Sequence, residues 1–138
     1  MNIQGKMIFD EATRFYAVAI PLLGLWTQGE TLEEGFFMAD DGLKMLYPDI
    51  SFSLYWINKS NGNFGVSSKD KKIVPIILKE ARLASGLSLM EAATKLGFSN
   101  QNSIYAYERG TREPSIGKFQ KLLDLYGISI DMQQTVAA

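Results

Sequence analysis

The period of the hydrophobic residues changes near Pro75, and this change limits the folds that the 138-residue chain can adopt. Before Pro75, short runs alternate or are rich in β-branched and aromatic residues, which is typical of half-buried strands. After Pro75, apolar residues recur every three or four positions in short segments that glycines separate. These segments are about 76–84, 88–96, 100–108 and 115–126. The sequence therefore predicts an α+β chain, with a small N-terminal β-sheet followed by an all-α domain.

One amphipathic helix interrupts the strand signals of the N-terminal half. Thr31 can cap its first turn, and Glu34 can reach back to the Thr31 amide. The apolar stripe that follows consists of Leu32, Phe36, Ala39, Leu43 and Leu46. Pro48 stops the helix, because the residue before a proline avoids the helical region. The predicted strands are 7–9, 14–20, 23–27, 51–57 and 63–66. We therefore divide the chain into an N-terminal domain, a linker, a helical domain and a tail, at residues 1–66, 67–74, 75–131 and 132–138.

The composition argues against several kinds of chemistry. The chain contains no cysteine and no histidine, so it lacks thiolate ligands, a thiol nucleophile and the commonest general base. No run approaches the roughly 18 apolar residues of a membrane helix, and the N-terminus lacks the basic-then-apolar order of a signal peptide. We therefore expect a cytoplasmic protein that is not an enzyme, does not associate with membranes, and holds no metal and no cofactor.

Charge divides the chain at about the same place. Residues 1–70 carry five bases and nine acids, a net charge of −4, whereas residues 71–138 carry nine bases and six acids, a net charge of +3. Asp40 and Asp41 are neighbours on the predicted helix and point about 100° apart, so they are poorly placed to share a pair of metal ions. The C-terminal half is therefore the candidate for binding phosphates, and the N-terminal half would repel them.

The helical half contains the parts that a helix-turn-helix needs. Two short helices must cross closely through a tight turn, which requires a small residue at the crossing and a residue tolerant of positive φ in the turn. Ala93 and Gly97 meet these two requirements. We expect Ser99 to cap a third helix over residues 100–108, with Ile104 and Tyr107 pointing to the core.

At this point the sequence resembles the Xre/Cro family of phage-type repressors. The matching positions are Leu87-Ser88, Ala93, Leu96-Gly97, Ser99, Ile104, Glu108-Arg109-Gly110, Arg112, Pro114-Ser115 and Leu125 to Ser129. The resemblance implies a two-fold oligomer, a homodimer or a higher even state, on a double-stranded DNA operator. It also implies a salt bridge between Arg82 and Glu108. The turn before Ile104 is one residue longer than the commonest form. Leu89 and Met90 stand where members often have a phosphate-binding glutamine.

The chemistry of the side chains assigns roles around the third helix. Asparagine and glutamine can bond adenine through its N6 and N7 edge, and Ser, Arg and Lys bond phosphates. The predicted base readers are Asn100, Gln101, Asn102 and Tyr105. The predicted phosphate contacts are Ser99, Ser103, Arg109, Arg112 and Lys118.

The stretch from Thr27 to Gly35, Thr-Gln-Gly-Glu-Thr-Leu-Glu-Glu-Gly, resembles the HicB family of antitoxins, which has a partial RNase H-like fold. Gly35 stands where alanine is usual. The expected glycine-rich turn between the first strands is replaced by residues 11–13. The resemblance implies an antitoxin that neutralises a small basic ribonuclease of the HicA kind and represses its own operon. Phe37, Tyr55 and Trp56 are candidates for an exposed contact with that toxin.

Two other functions stay open. The chain can instead be a stand-alone Xre-family regulator whose N-terminal domain oligomerises or senses a ligand. An enzyme is the third and least favoured reading. The presence of a neighbouring gene for a small basic protein would favour the antitoxin over the stand-alone regulator.

Overall fold

A computed structural model describes residues 1–130, which form two compact units, an N-terminal unit of residues 1–70 with Ile130 and a C-terminal unit of residues 71–129. The N-terminal unit is a sheet with one helix, and the C-terminal unit contains four helices. The predicted α+β class is therefore confirmed. The predicted tail, 132–138, and residue 131 lie outside the described residues. Within residues 1–130, no helix is long and apolar enough to cross a membrane.

The N-terminal unit is a five-stranded antiparallel sheet with the strand order β3-β2-β1-β5-β4. Its strands are β1 (Asn2–Asp10), β2 (Phe15–Ile20), β3 (Leu25–Gly29), β4 (Ser53–Asn58) and β5 (Asn63–Ser67). The helix, α1, spans Leu32–Leu46 between β3 and β4. Short 3₁₀ turns occupy Pro21–Leu23 and Lys59–Asn61.

Helix α1 packs against one face of this sheet. The Thr31 hydroxyl accepts a hydrogen bond from the Glu34 amide at 3.0 Å, as the sequence predicts. A Cβ on Gly35 would lie 2.8 Å from Met7 Sδ on β1, so the helix sits on the face that carries Met7. Ala39 and Leu43 are completely buried. Leu46, which the stripe places in the core, is instead 49% exposed in the last turn of α1.

Strand β1 is longer than the predicted strand at 7–9. Ile3, Gly5 and Met7 are buried while Gln4 and Lys6 between them are exposed, which is the alternation of a strand with one covered face. A glycine in the middle hides that pattern, because glycine is usually depleted in strands. Here it is required, since the Phe64 ring lies over the Gly5 position.

The C-terminal unit consists of α2 (Ile73–Ser85), α3 (Leu89–Lys95), α4 (Asn102–Arg109) and α5 (Ile116–Tyr126). Its core includes Ile77, Leu78, Ala81, Ala93, Ile104, Tyr107, Phe119 and Leu122. The two predicted core positions, Ile104 and Tyr107, are 1% and 2% exposed, as expected. The linker predicted at 67–74 overlaps β5 at its first residue and α2 at its last two, so the segment between the elements is only 68–72.

Candidate nucleic-acid interface

Helices α3 and α4 meet through a tight turn at Gly97. Ala92 and Ala93 are completely buried, so α3 presents almost no side-chain bulk where it packs. Gly97 has φ of 76°, a left-handed conformation that favours glycine. The amide of Phe98 then donates to the carbonyl of Ala93 at 2.9 Å, which satisfies one of the last carbonyls of α3. The predicted roles of Ala93 and Gly97 agree with this geometry.

Helix α4 begins two residues later than predicted. The expected start was Asn100 with Ser99 as the cap, but α4 starts at Asn102, and Gln101 occupies the N-cap position without a side-chain hydrogen bond. The side chain of Asn100 takes over the local role, because its Oδ1 accepts from the Asn102 amide at 2.8 Å. An asparagine whose side chain bonds the backbone amide two residues later forms an Asx-turn. This turn accommodates the additional residue between Gly97 and Ile104.

This register separates the predicted base readers. A two-point contact with adenine needs both the amide oxygen and the amide nitrogen of the side chain. The hydrogen bond from the Asn102 amide holds the Asn100 side chain against its own backbone, so Asn100 is poorly oriented for that contact. Gln101, Asn102 and Tyr105 are exposed, whereas Ser103 is half-buried. The side chains best placed for base contacts are therefore Gln101 and Asn102.

The outer face of α4 joins polar and basic groups. Asn102, Tyr105 and Arg109 are three and four residues apart, which puts them on one side of the helix. The Arg109 guanidinium lies 5.3 Å from the centre of the Tyr105 ring, and its Nη1 donates to the Tyr105 hydroxyl at 3.4 Å. Tyr105 is exposed at the surface, and it also orients the side chain of Arg109.

Two further predicted cations lie against aromatic rings. Arg112, just past α4, has its guanidinium 5.9 Å from the centre of the buried Tyr107 ring. Lys118, in the first turn of α5, has its ammonium group 5.7 Å from the Phe98 ring in the turn before α4. Stacking of this kind restricts a long side chain without using its hydrogen-bond donors. Phe98 was not among the predicted site residues, although an aromatic residue directly after the turn glycine was a usable signal.

Glu108 faces the interior of the unit instead of solvent. Its carboxylate accepts from Arg82 Nε at 2.7 Å and from Arg82 Nη2 at 3.0 Å, and the Arg82 Nη1 donates to the Leu87 carbonyl at 3.0 Å. The side chains are 11% and 5% exposed. Hydrogen bonding to Glu108 raises the pKa of Arg82 above its usual value. The predicted Arg82–Glu108 salt bridge is confirmed, and it removes an acid from the surface of α4.

The N-terminus of α3 is capped by side chains of its own first turn. Ser88 and Glu91 form a reciprocal capping box, and the hydrogen bonds from Ser88 lower the pKa of Glu91. Met90, where the family often has glutamine, is 51% exposed. The Glu91 carboxylate at this end of α3 disfavours an approaching phosphate.

Residues 78–133 match the family model for Helix-turn-helix domains. The C-terminal unit is a helix-turn-helix domain. This chain is 49% identical over 53 residues to a putative HTH-type transcriptional regulatory protein of Aeropyrum pernix, an overlap that covers 38% of this chain and 16% of that protein. It is 44% identical over 54 residues to the HTH-type transcriptional regulator ImmR of Bacillus subtilis, covering 39% of this chain and 42% of that protein. The chain thus matches less than half the length of either relative. No solved structure matches the chain.

The family-model match lies in the C-terminal half. Together with the named relatives it supports the resemblance to the Xre/Cro family, whereas the resemblance of the N-terminal half to the HicB family remains a prediction.

Proposed function

We propose that this protein is a DNA-binding transcriptional regulator that places α4 in the major groove and acts by binding, without catalysis. The observation that carries the proposal is the outer face of α4. Asn102, Tyr105 and Arg109 are exposed there, while the only acid of the helix, Glu108, is turned inward to Arg82. An α-helix fits the major groove, and an outer face that is polar and free of exposed carboxylates suits contact with bases and phosphates there. The match to helix-turn-helix regulators supports the same function.

Operator binding tests this proposal. Arg109→Ala should weaken binding to every sequence alike and reduce the salt slope by about one for each copy bound, because a phosphate contact carries no sequence information. Gln101→Ala should cost about 1–3 kcal/mol on the operator and little on random DNA. Lys79→Ala, which removes an exposed cation of α2, is the matched control and should change neither. Equal losses on both DNAs for Gln101→Ala would remove its role in reading bases.

We propose that the regulator binds a pseudo-palindrome as a two-fold oligomer, with half-sites about one helical turn apart. A single α4 contacts only a few base pairs, so two copies are needed for a site of useful specificity. Footprinting should show two equal protected half-sites. One protected half-site at saturation would contradict this arrangement.

The antitoxin role is a second and finer proposal. It is supported by the resemblance of residues 27–35 to the HicB family and by the net charge of −4 over residues 1–70, which complements a basic ribonuclease. Four of those acids lie on α1: Glu33, Glu34, Asp40 and Asp41. Charge would speed the encounter, while apolar contacts would supply most of the affinity.

Co-expression with the neighbouring small basic gene tests the antitoxin proposal. The full chain should restore growth, and so should the Arg109→Ala chain, because neutralisation would depend on the N-terminal unit alone. If the neighbouring product is harmless, or if Arg109→Ala abolishes rescue, the N-terminal unit is better explained as the oligomerisation or sensing domain of a stand-alone regulator.

A further inference from the structure

The face of the N-terminal sheet opposite α1 carries more apolar surface than a solvated sheet face needs. Residues that pair directly across strands share a face, and the pairs Ile8–Ala17 and Ala19–Trp26 put these four side chains on the uncovered side. Tyr55 pairs with Gly65 on the same side. Antiparallel sheets with one open face normally alternate polar residues outward. We call this surface the open face, defined by Ile8, Ala17, Ala19, Trp26, Tyr55 and Ile57.

The exposure of these side chains is large. Trp26 is 65% exposed, Ile8 60%, Ile57 55% and Tyr55 36%. A groove of about 470 Å³ beside them is lined by Ala19, Ile57 and the polar residues of β1. With roughly 200 Å² for a whole aromatic side chain, the four residues expose on the order of 450 Å² of apolar surface. This summed area is comparable to that of surface patches that are commonly functional, and Gln4, Lys6 and Asn63 lie between the apolar side chains.

We infer that the open face is the contact between two copies of this chain. A homodimer interface is about 65% apolar, so a patch of this area with its polar surround amounts to roughly 700 Å² per copy. That is close to the roughly 800 Å² per partner of a standard interface.

The charges also fit a second copy better than a basic partner. A two-fold contact brings the same surface of each copy together, so a face with many charges of one sign would repel itself. Along the strands of the open face the charged residues are Lys6 and Asp10, one of each sign. The acids that would attract a basic partner lie on α1, on the other side of the sheet. The need for two copies rests on the proposed DNA binding, whereas the area and charge arguments do not.

The mass of the full chain in solution tests the inference, because this measurement contains no DNA. The wild-type protein should have twice the 15.4 kDa of one chain. Trp26→Glu and Ile8→Glu should each raise the dimer dissociation constant at least about thirtyfold. Phe37→Glu is the matched control, since Phe37 is 64% exposed on α1 and should leave the dimer unchanged. A wild-type monomer, or equal effects of Trp26→Glu and Phe37→Glu, would overturn the inference.

A second measurement uses the absence of cysteine from the chain. Single cysteines at Gln4→Cys, Ala17→Cys and Gln28→Cys sample the open face, and Asp41→Cys samples α1. Mild oxidation should produce a covalent dimer from at least one of the first three and none from the fourth. The inference fails if only Asp41→Cys cross-links or if no variant does. Trp26→Glu should still bind a single half-site but lose the gain from a second, so failure of dimerisation and failure of DNA binding are distinguishable.

Discussion

Replacing Arg82 by methionine should strand a buried carboxylate. Glu108 accepts two hydrogen bonds from Arg82, and its side chain is 5% exposed, so water cannot replace the lost partner fully. The Leu87 carbonyl also loses the Arg82 donor. Breaking a buried pair in this way costs about 3–5 kcal/mol of unfolding free energy. Since small domains have about 5–15 kcal/mol in total, Arg82→Met should leave the C-terminal unit only marginally stable.

The double variant Arg82→Met/Glu108→Met separates the stranded charge from the lost attraction. It removes both charges and fills the space with apolar atoms, so it should be more stable than either single variant and near the wild type. An exposed pair in the same unit provides the control. Lys71 and Glu113 lie 3.4 Å apart with side chains 81% and 66% exposed, so Lys71→Met should change stability by less than about 1 kcal/mol.

Urea unfolding followed by two signals measures these effects. Both tryptophans, Trp26 and Trp56, lie in the N-terminal unit, so their fluorescence reports on that unit. Far-UV circular dichroism reports mainly on helices, most of which belong to the C-terminal unit. The dichroism transition should move to lower urea in Arg82→Met. A loss below about 1 kcal/mol, or a double variant no more stable than the singles, would refute the buried-charge argument.

Four further substitutions have defined outcomes, one of them a control. Tyr126→Phe should stabilise the C-terminal unit by about 1 kcal/mol, because among the described residues its buried hydroxyl has no hydrogen-bond partner. Burial raises the pKa of Tyr126 to about 12, so the wild type should lose up to about 2 kcal/mol more than Tyr126→Phe as the pH rises from about 10 to 12. Gly29→Ala should cost the N-terminal unit about 3 kcal/mol in fluorescence-detected unfolding, because its Cβ would meet the backbone of Gly35, with Cα at 2.7 Å. Gly117→Ala, with open space around it, should not destabilise. Ser88→Ala should cost about 1 kcal/mol in thermal melts by removing the α3 cap, and a loss below about 0.3 kcal/mol would contradict its capping role.

Local signals predicted the elements whose ends are set by local chemistry. The Thr31 cap, the apolar spacing of Ile104 and Tyr107, and the positive φ of Gly97 each involve residues a few positions apart, and the structure has them as predicted. The predicted length of strand β1 is too short, because the contact that requires its central glycine is long-range. Gly5 is needed only because Phe64, almost sixty positions later, lies over it, and no local pattern shows this.

The start of α4 shows a different limit. Ser99 and Asn100 are both good N-cap residues, and propensity alone does not choose between a cap at Ser99 and an Asx-turn at Asn100. The choice depends on where Ile104 must point to reach the core, which fixes the helix and leaves the preceding residues to close the turn. The sequence pattern also does not reveal that the apolar residues of the open face are exposed, because alternation alone does not show which face α1 covers.

The number of cations around α4 connects DNA binding with the open face. One copy presents Arg109, Arg112 and Lys118 near the proposed groove contact, and each can neutralise about one phosphate. Three phosphates give a slope of log affinity against log salt of about −2.7, and two copies give about −5.4. We therefore expect wild-type protein on a full operator to show the steeper slope and Trp26→Glu to show the shallower one. A slope near −2.7 for the wild type that Trp26→Glu leaves unchanged would mean that one copy binds alone, and the two-fold arrangement would then be wrong.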